Sequence, residues 1–199
     1  LVGIATNYVK ADFELTDKTA NLLPSMVFFW FLVCAVPTGI LMNKIGQRKT
    51  VLISLVVTMI ALALPFVGYS FPMMLLSFAF LGIGNALMQV ALNPLLSNIV
   101  SGGRLACSLT LGQFVKAIAS FIAPILAGWA AVAFGNWRIF MAIFLAVAIV
   151  AFFALSATPI QENVSKDVEK STFKGCFALL ADKVVLLSFL GIICHVGID

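Results

Sequence analysis

Long apolar stretches, separated by short polar segments, make up most of this chain of 199 residues. A shorter stretch at 1–9 is followed by six longer ones, at 21–42, 51–68, 71–97, 105–134, 137–157 and 177–199. An α-helix of about 20 apolar residues crosses the ~30 Å hydrocarbon core of a bilayer. Strands of a membrane barrel would instead be ~10-residue segments of alternating character. The pattern therefore predicts an all-α membrane protein with a helix remnant and six further spans.

The composition supports the same class, since 62% of the residues are hydrophobic and 10% are charged. Soluble domains are about 45–50% apolar and ~25% charged. The net charge of +4 comes from lysines and arginines between the spans and does not indicate nucleic acid. No disulfide framework, zinc site or other cofactor is predicted, because paired spacing is absent from the cysteines Cys34, Cys107, Cys176 and Cys194.

The basic residues are distributed unequally between the two sets of alternating polar segments. The set at 43–50, 98–104 and 158–176 contains seven lysines and arginines, against three in or beside 10–20, 69–70 and 135–136. Because basic residues accumulate on the cytoplasmic side, the first set and the N-terminus are predicted to be cytoplasmic. We expect a multi-pass protein of the inner membrane of a bacterium. Trp129 and Trp137 are predicted anchors at the opposite interface.

The longest polar segment divides the chain into two parts. Residues 158–176 have mixed charge and low apolar content, which predicts a cytoplasmic linker. Residues 1–157 then form one transmembrane bundle, and 177–199 form the first helix of another. Because the chain begins and ends inside apolar stretches, we expect a fragment of a longer protein, with its first and last helices truncated.

The polar segment after the span 21–42 carries a distinctive pattern, GILMNKIGQRKTV at 39–51. Gly46 permits a tight turn that other residues adopt only at a cost. The basic cluster after it can pair with helix C-termini, and Asn43 can cap a helix N-terminus. The candidate motif consists of Gly39, Asn43, Lys44, Gly46, Arg48 and Lys49.

Three amides form a stripe on the span 71–97. Asn85, Gln89 and Asn93 are spaced i, i+4, i+8 and so share one helix face. Amides in hydrocarbon need hydrogen-bond partners, so this face should meet protein or water rather than lipid. The stripe either lines a cavity or supplies hydrogen bonds between helices.

A lysine interrupts the span 105–134, in the sequence GQFVKAIAS at 112–120. Lys116 lies eleven residues into the span, and at ~1.5 Å per residue this is ~16 Å deep, near the bilayer midplane. Its stem is too short to reach the headgroups, and a lipid-facing charge is costly. Lys116 should therefore face a cavity, together with Gln113 on the same helix face.

Three roles for Lys116 remain open from the residues. It binds an anionic group of a substrate, such as the carboxylate of a sugar acid. Alternatively, it titrates during ion coupling, because burial favours the neutral amine. In the third case it pairs with a fixed carboxylate, for which Asp199 is the candidate, and His195 on the same helical face joins the pair.

Several motifs resemble the major facilitator superfamily, and its fucose–galactose–hexose permease branch in particular. The segment at 39–51 is similar to the superfamily's loop signature, with Asn43 where that signature has Asp. ALMQVALNPLL, LTLGQFVKAIASFIAPILAG and the terminal VGID resemble the branch. The resemblance implies a twelve-helix transporter in which two six-helix bundles rock around a midplane site. This chain would supply the N-terminal bundle and the start of helix 7.

The resemblance also transfers residue roles, with departures. Gln113 matches a sugar-contacting glutamine, and Lys116 replaces an asparagine. Gln89 stands where the fucose symporters have a coupling carboxylate, and no acid lies near Gly3, where a second one is expected. The fold therefore transfers, while the coupling chemistry of the branch does not.

The expected function is secondary active transport of a small polar solute, a sugar, sugar derivative or sugar acid, coupled to a cation such as the proton. Alternatives are an efflux antiporter for hydrophobic compounds, a non-transporting receptor and a membrane-embedded enzyme. An enzyme is not expected, because the spans hold no recognisable nucleophile, base or metal set.

Overall fold

A computed structural model describes residues 2–100, 104–158 and 182–187. Helices dominate these residues, and no strand occurs among them. The helices are α1 Val2–Asp12, α2 Asp17–Ala20, α3 Leu22–Ile45, α4 Gln47–Val67, α5 Phe71–Ile99, α6 Arg104–Phe134 and α7 Ile139–Ala157. The predicted all-α architecture is confirmed.

Within the described residues, five helical segments are long and apolar enough to cross a membrane. They are Asp17–Ile45, Gln47–Val67, Phe71–Ile99, Arg104–Phe134 and Ile139–Ala157. Each coincides with one of the first five long spans predicted from the sequence. Most of the sixth span, at 177–199, lies outside the described residues, as does the predicted linker beyond Thr158.

The predicted polar loop at 43–50 is replaced by a single residue between two helices. α3 ends at Ile45 and α4 begins at Gln47, and Gly46 between them has φ 93° and ψ 159°. This backbone conformation favours glycine. Asn43 lies in the last turn of α3, so its predicted capping role is wrong, and Gly46 takes the N-cap position of α4. Both helices extend past the apolar residues because the hydrogen bonds within a helix pair its backbone groups whether or not its side chains are apolar.

Helix α5 packs closely against α3 and α4 through two glycines. A β-carbon on Gly82 would lie 2.4 Å from the carbonyl oxygen of Val27 in α3. A β-carbon on Gly84 would lie 2.5 Å from Oγ1 of Thr58 in α4. Both distances are far below van der Waals contact. At Gly82 the obstacle is the backbone of α3, so only glycine allows α5 and α3 to approach this closely, whereas at Gly84 the obstacle is the Thr58 hydroxyl group. Our sequence prediction missed both glycines.

Small residues also hold the second half of α6 in place. Ala123, Ala127 and Ala130 are buried and pack with Phe140 of α7. Ile4 and Tyr8 of α1 complete the same cluster. The first half of α6 has no such contacts, since each of residues 110–122 is exposed among the described residues.

A polar and aromatic cluster joins several helix ends on one side of the bundle; we call it the aromatic end, and it consists of Tyr8, Asp12, Tyr69, Trp137 and Arg138. The carboxylate of Asp12 accepts hydrogen bonds from the Tyr69 hydroxyl and, at 2.7 Å, from Nε1 of Trp137. Tyr8 stacks on Trp137 with ring centroids 5.3 Å apart. The guanidinium of Arg138 lies 4.6 Å from the centroid of the Tyr69 ring.

This cluster corrects the prediction for Trp137 and changes the acidity of Tyr69. Trp137 is only 6% exposed and belongs to the core, so it is not an interface anchor, whereas Trp129 is 54% exposed. Burial raises the pKa of the Tyr69 hydroxyl above its ordinary value, and the hydrogen bond to Asp12 and that carboxylate's negative charge raise the pKa further. The neutral Tyr69 hydroxyl group therefore remains a hydrogen-bond donor to the Asp12 carboxylate.

Candidate functional site

A cleft of about 230 Å³ lies between α5 and α6. Polar residues from both helices line it, together with Gly112 and a group of apolar side chains. The polar residues are Asn85, Gln89, Asn93, Gln113 and Lys116, and the apolar ones are Met88, Leu92, Leu96 and Leu109. The structure thus brings together on one cleft all five residues that the sequence singled out for substrate binding.

Helix α5 contributes its amide stripe to this cleft. Asn85, Gln89 and Asn93 follow one another at about 6 Å along the helix, one per turn. Nε2 of Gln89 donates a hydrogen bond to Oδ1 of Asn85, 3.2 Å away. Much of each amide's capacity remains available, because an amide group carries two donors and two acceptor lone pairs.

Helix α6 contributes Gln113 and Lys116, one turn apart on the same face. Gly112 also lines the cleft, and a β-carbon there would meet nothing within 4 Å. This openness contrasts with Gly82 and Gly84, where a β-carbon would collide with a neighbouring helix. The cleft exists because α6 stands away from α5 along this stretch.

Lys116 is the one charged side chain among the described residues that line the cleft. No described side chain forms an ion pair or hydrogen bond with its ammonium group. Asp199 and His195, its predicted partners, lie outside the described residues. Among the described lining residues, the cleft therefore combines four amides with a single positive charge, and such groups can bind hydroxyl groups or negative charge.

The residues of the loop motif lie at the other end of the bundle from Tyr69 and Trp137. Nη2 of Arg48 donates hydrogen bonds to the carbonyl oxygens of Leu155 and Ser156, at 3.1 Å and 2.8 Å. These carbonyls lie in the last turn of α7, where the helix dipole favours a cation. Lys44 and Lys49 are exposed, and a β-carbon on Gly39 would meet nothing within 4 Å.

The polar groups of the cleft are amides and one amine. Within the part of the chain that the structure describes, no group of three or more His, Cys, Asp or Glu side chains could hold a metal ion. Only Asn, Gln and Lys side chains bring polar atoms into the cleft. Such a lining suits reversible binding by hydrogen bonds and charge.

Comparison with known proteins identifies the family. The sequence profile of the Major Facilitator Superfamily matches residues 1–198. The chain belongs to this superfamily. It is therefore a multi-pass membrane protein of a transporter family, and its predicted membership is confirmed.

Two relatives narrow the resemblance. The chain is 27% identical over 128 residues to proteins named "Glucose/galactose transporter" from two strains of Brucella abortus. The match covers 63% of this chain and 31% of each relative's length. The name of these relatives agrees with the resemblance to the fucose–galactose–hexose branch.

Proposed function

We propose that this chain is the N-terminal part of a secondary active transporter for a sugar or sugar derivative. The solute binds in the cleft between α5 and α6 and crosses by alternating access. Residues 1–157 form one bundle, 158–176 a linker, and 177–199 the first helix of the second bundle. The observation that carries this proposal is the convergence of four side-chain amides on one cleft.

Amides suit a sugar because they can donate to and accept from hydroxyl groups at the same time. A cavity for hydrophobic compounds would be more uniformly apolar, with few polar groups. Here half of the ten lining residues are polar or charged. This balance favours sugar transport over the efflux of hydrophobic compounds, and the name of the relatives supports the same choice.

The orientation that we propose is supported by the basic end of the bundle, where Lys44, Arg48 and Lys49 lie around the junction of α3 and α4. Basic residues beside spans stay on the cytoplasmic side. We therefore place this end in the cytoplasm and the aromatic end on the outer side of the inner membrane. For the driving force we propose proton symport, with Lys116, His195 and Asp199 as candidates for the coupling group.

The test is uptake of radiolabelled sugars into proteoliposomes that contain the complete protein. Gln113→Leu should reduce uptake, while Ser97→Ala, a change at an exposed residue of α5 outside the cleft, should leave it unchanged. An inward proton gradient should accelerate uptake, and a protonophore should abolish this acceleration. Binding without net movement would contradict transport, and export of hydrophobic cations without sugar uptake would favour the antiporter instead.

A further inference from the structure

The cleft changes character along its length. Only residues 100–103 separate α5 from α6, so the two helices run in opposite directions from this short connection. Asn85 lies about 21 Å along α5 from Ile99, and Lys116 about 18 Å along α6 from Arg104. The two residues are thus at similar depth, far from the connection.

The opposite end of the cleft, nearer the connection, is mainly apolar. Leu92, Leu96 and Leu109 line it, with Asn93 as the polar exception. The deep end carries Asn85, Gln89, Gln113 and the ammonium of Lys116. A solute that uses both the charge and the amides must therefore bind at the end of the cleft that is far from this connection.

A charge inside a membrane-spanning segment needs a counter-charge or strong hydrogen bonds, because hydrocarbon cannot hydrate it. None of the described lining residues is acidic. A neutral sugar would offer only hydroxyl groups to the ammonium. A carboxylate would offer a charge-assisted hydrogen bond, which is roughly twice as strong as a neutral one.

We propose that the cleft selects sugar acids, with the solute's carboxylate bound by Nζ of Lys116 and its hydroxyl groups bound by Asn85, Gln89 and Gln113. This inference rests on the proposed function and specifies its substrate class. A carboxylate carries one negative charge, which Lys116 can balance. A phosphate ester carries about −1.5 to −2 at neutral pH, so one lysine leaves much of its charge uncompensated.

D-glucuronate and D-glucose are matched probes, since they differ by a carboxylate in place of a hydroxymethyl group. Binding of each is measured by isothermal titration to the complete purified protein, with D-glucose 6-phosphate as a third probe. The wild type should bind glucuronate about tenfold or more tightly than glucose, as expected for a hydrogen bond to a charged group. Glucose 6-phosphate should bind more weakly than glucuronate.

Two substitutions assign the preference to Lys116. Lys116→Met keeps a long apolar side chain and should abolish the preference for glucuronate, while Lys116→Arg should retain it. Asn85→Leu should weaken both sugars by a similar factor, since it removes a hydroxyl contact rather than the charge. Thermal unfolding of each variant shows whether it is folded, and a folded Lys116→Arg keeps the test valid if Lys116→Met does not fold.

Two outcomes would overturn the proposal that Lys116 selects sugar acids. One is equal binding of glucose and glucuronate by the wild type. If Asp199→Asn then creates a preference for glucuronate, the lysine is paired internally with Asp199. The other is a glucuronate preference that survives in a folded Lys116→Met. Uptake of glucose without glucuronate would reject this inference and leave sugar transport standing, whereas failure to bind any sugar or sugar acid would reject the proposed function itself.

Discussion

Helix α5 meets its neighbours in two different ways within a few residues. Gly82 brings its backbone against the backbone of α3, and Gly84 lies against the Thr58 hydroxyl group of α4, so a β-carbon at either position would collide. Asn85, the next residue along the chain, points into the cleft on the α6 side. We call the first surface the glycine face and the second, which carries Asn85, Gln89 and Asn93, the amide face.

The difference between the faces has a physical origin. Lipid tails are as apolar as the helices, so burial of apolar area gives little drive for helices to associate within a membrane. Close packing of small residues provides much of the attraction instead, which explains the glycines. The amide face gives up such packing and keeps its hydrogen-bonding groups available. Stability and solute binding should therefore respond to different substitutions on the same helix.

The largest expected effect is on the glycine face. Gly82→Ala places a β-carbon 2.4 Å from the carbonyl oxygen of Val27, and overpacking of this kind costs about 1–3 kcal/mol. The melting temperature of the purified protein in detergent should fall. Gly112→Ala is the control, since its β-carbon meets nothing within 4 Å and alanine favours the helix by up to about 1 kcal/mol. Equal melting temperatures for the two variants would contradict the assignment of the glycine face.

A smaller effect, on transport rather than stability, is expected on the amide face. Gln89→Leu removes the hydrogen bond to Asn85 and an amide that we propose binds the solute's hydroxyl groups. A neutral hydrogen bond contributes about 0.5–1.5 kcal/mol, so KM for uptake should rise about two- to tenfold. The melting temperature should not fall. A fall in melting temperature without a change in KM would mean that the stripe holds the bundle together and binds no solute.

A smaller loss of stability is expected from Ser77→Ala, where α5 packs against α4. Oγ of the buried Ser77 donates to the carbonyl oxygen of Ala61 in α4, 2.6 Å away. Hydrogen bonds between membrane helices contribute about 0.6 kcal/mol on average, so the variant should be slightly less stable with KM unchanged. Ser97→Ala is the control, because Ser97 is exposed and, among the described residues, its hydroxyl group bonds to Pro94 within its own helix. A change in KM for Ser77→Ala would show that the two faces are not independent.

The smallest effect is confined to high pH, at the aromatic end. The pKa of Tyr69 is raised in the folded protein, so its contribution to stability is complete below pH ~10 and is lost as pH rises towards its folded pKa. ¹³C NMR of labelled tyrosine, with the signal assigned through Tyr69→Phe, should show ionisation above pH ~10. Asp12→Asn removes the carboxylate's charge and should lower this pKa. A titration midpoint of Tyr69 near pH 10 in the wild type would contradict the raised pKa and would show that water reaches the aromatic end.

The sequence predicted the helices well because hydrocarbon thickness sets their apolar length. It also predicted the common face of Asn85, Gln89 and Asn93, since helical periodicity alone determines it. Their position opposite Gln113 and Lys116 depends on how α5 and α6 pack, and the structure was needed to establish it.

Other features depend on contacts between residues distant in sequence. Trp137 looked like an interface anchor because nothing near it in the chain reveals Asp12, 125 positions earlier, as the acceptor of its N–H group. Gly82 and Gly84 looked like ordinary helix glycines until Val27 and Thr58 appeared against them. The predicted loop at 43–50 is absent because helix ends outside the apolar region leave no hydropathy signal.

The contacts of Arg48 with α7 have a consequence for biogenesis. Arg48 is synthesised 107 residues before Leu155, the first of the two carbonyl acceptors. The chain leaves the ribosome with its N-terminus first. The hydrogen bonds between α4 and α7 therefore cannot form until α7 has left the exit tunnel and entered the bilayer. Until then, the two carbonyl oxygens are out of reach of Arg48. Arg48 is thus synthesised early, but α5, α6 and α7 must be inserted before its side chain can bind the carbonyl oxygens at the end of α7.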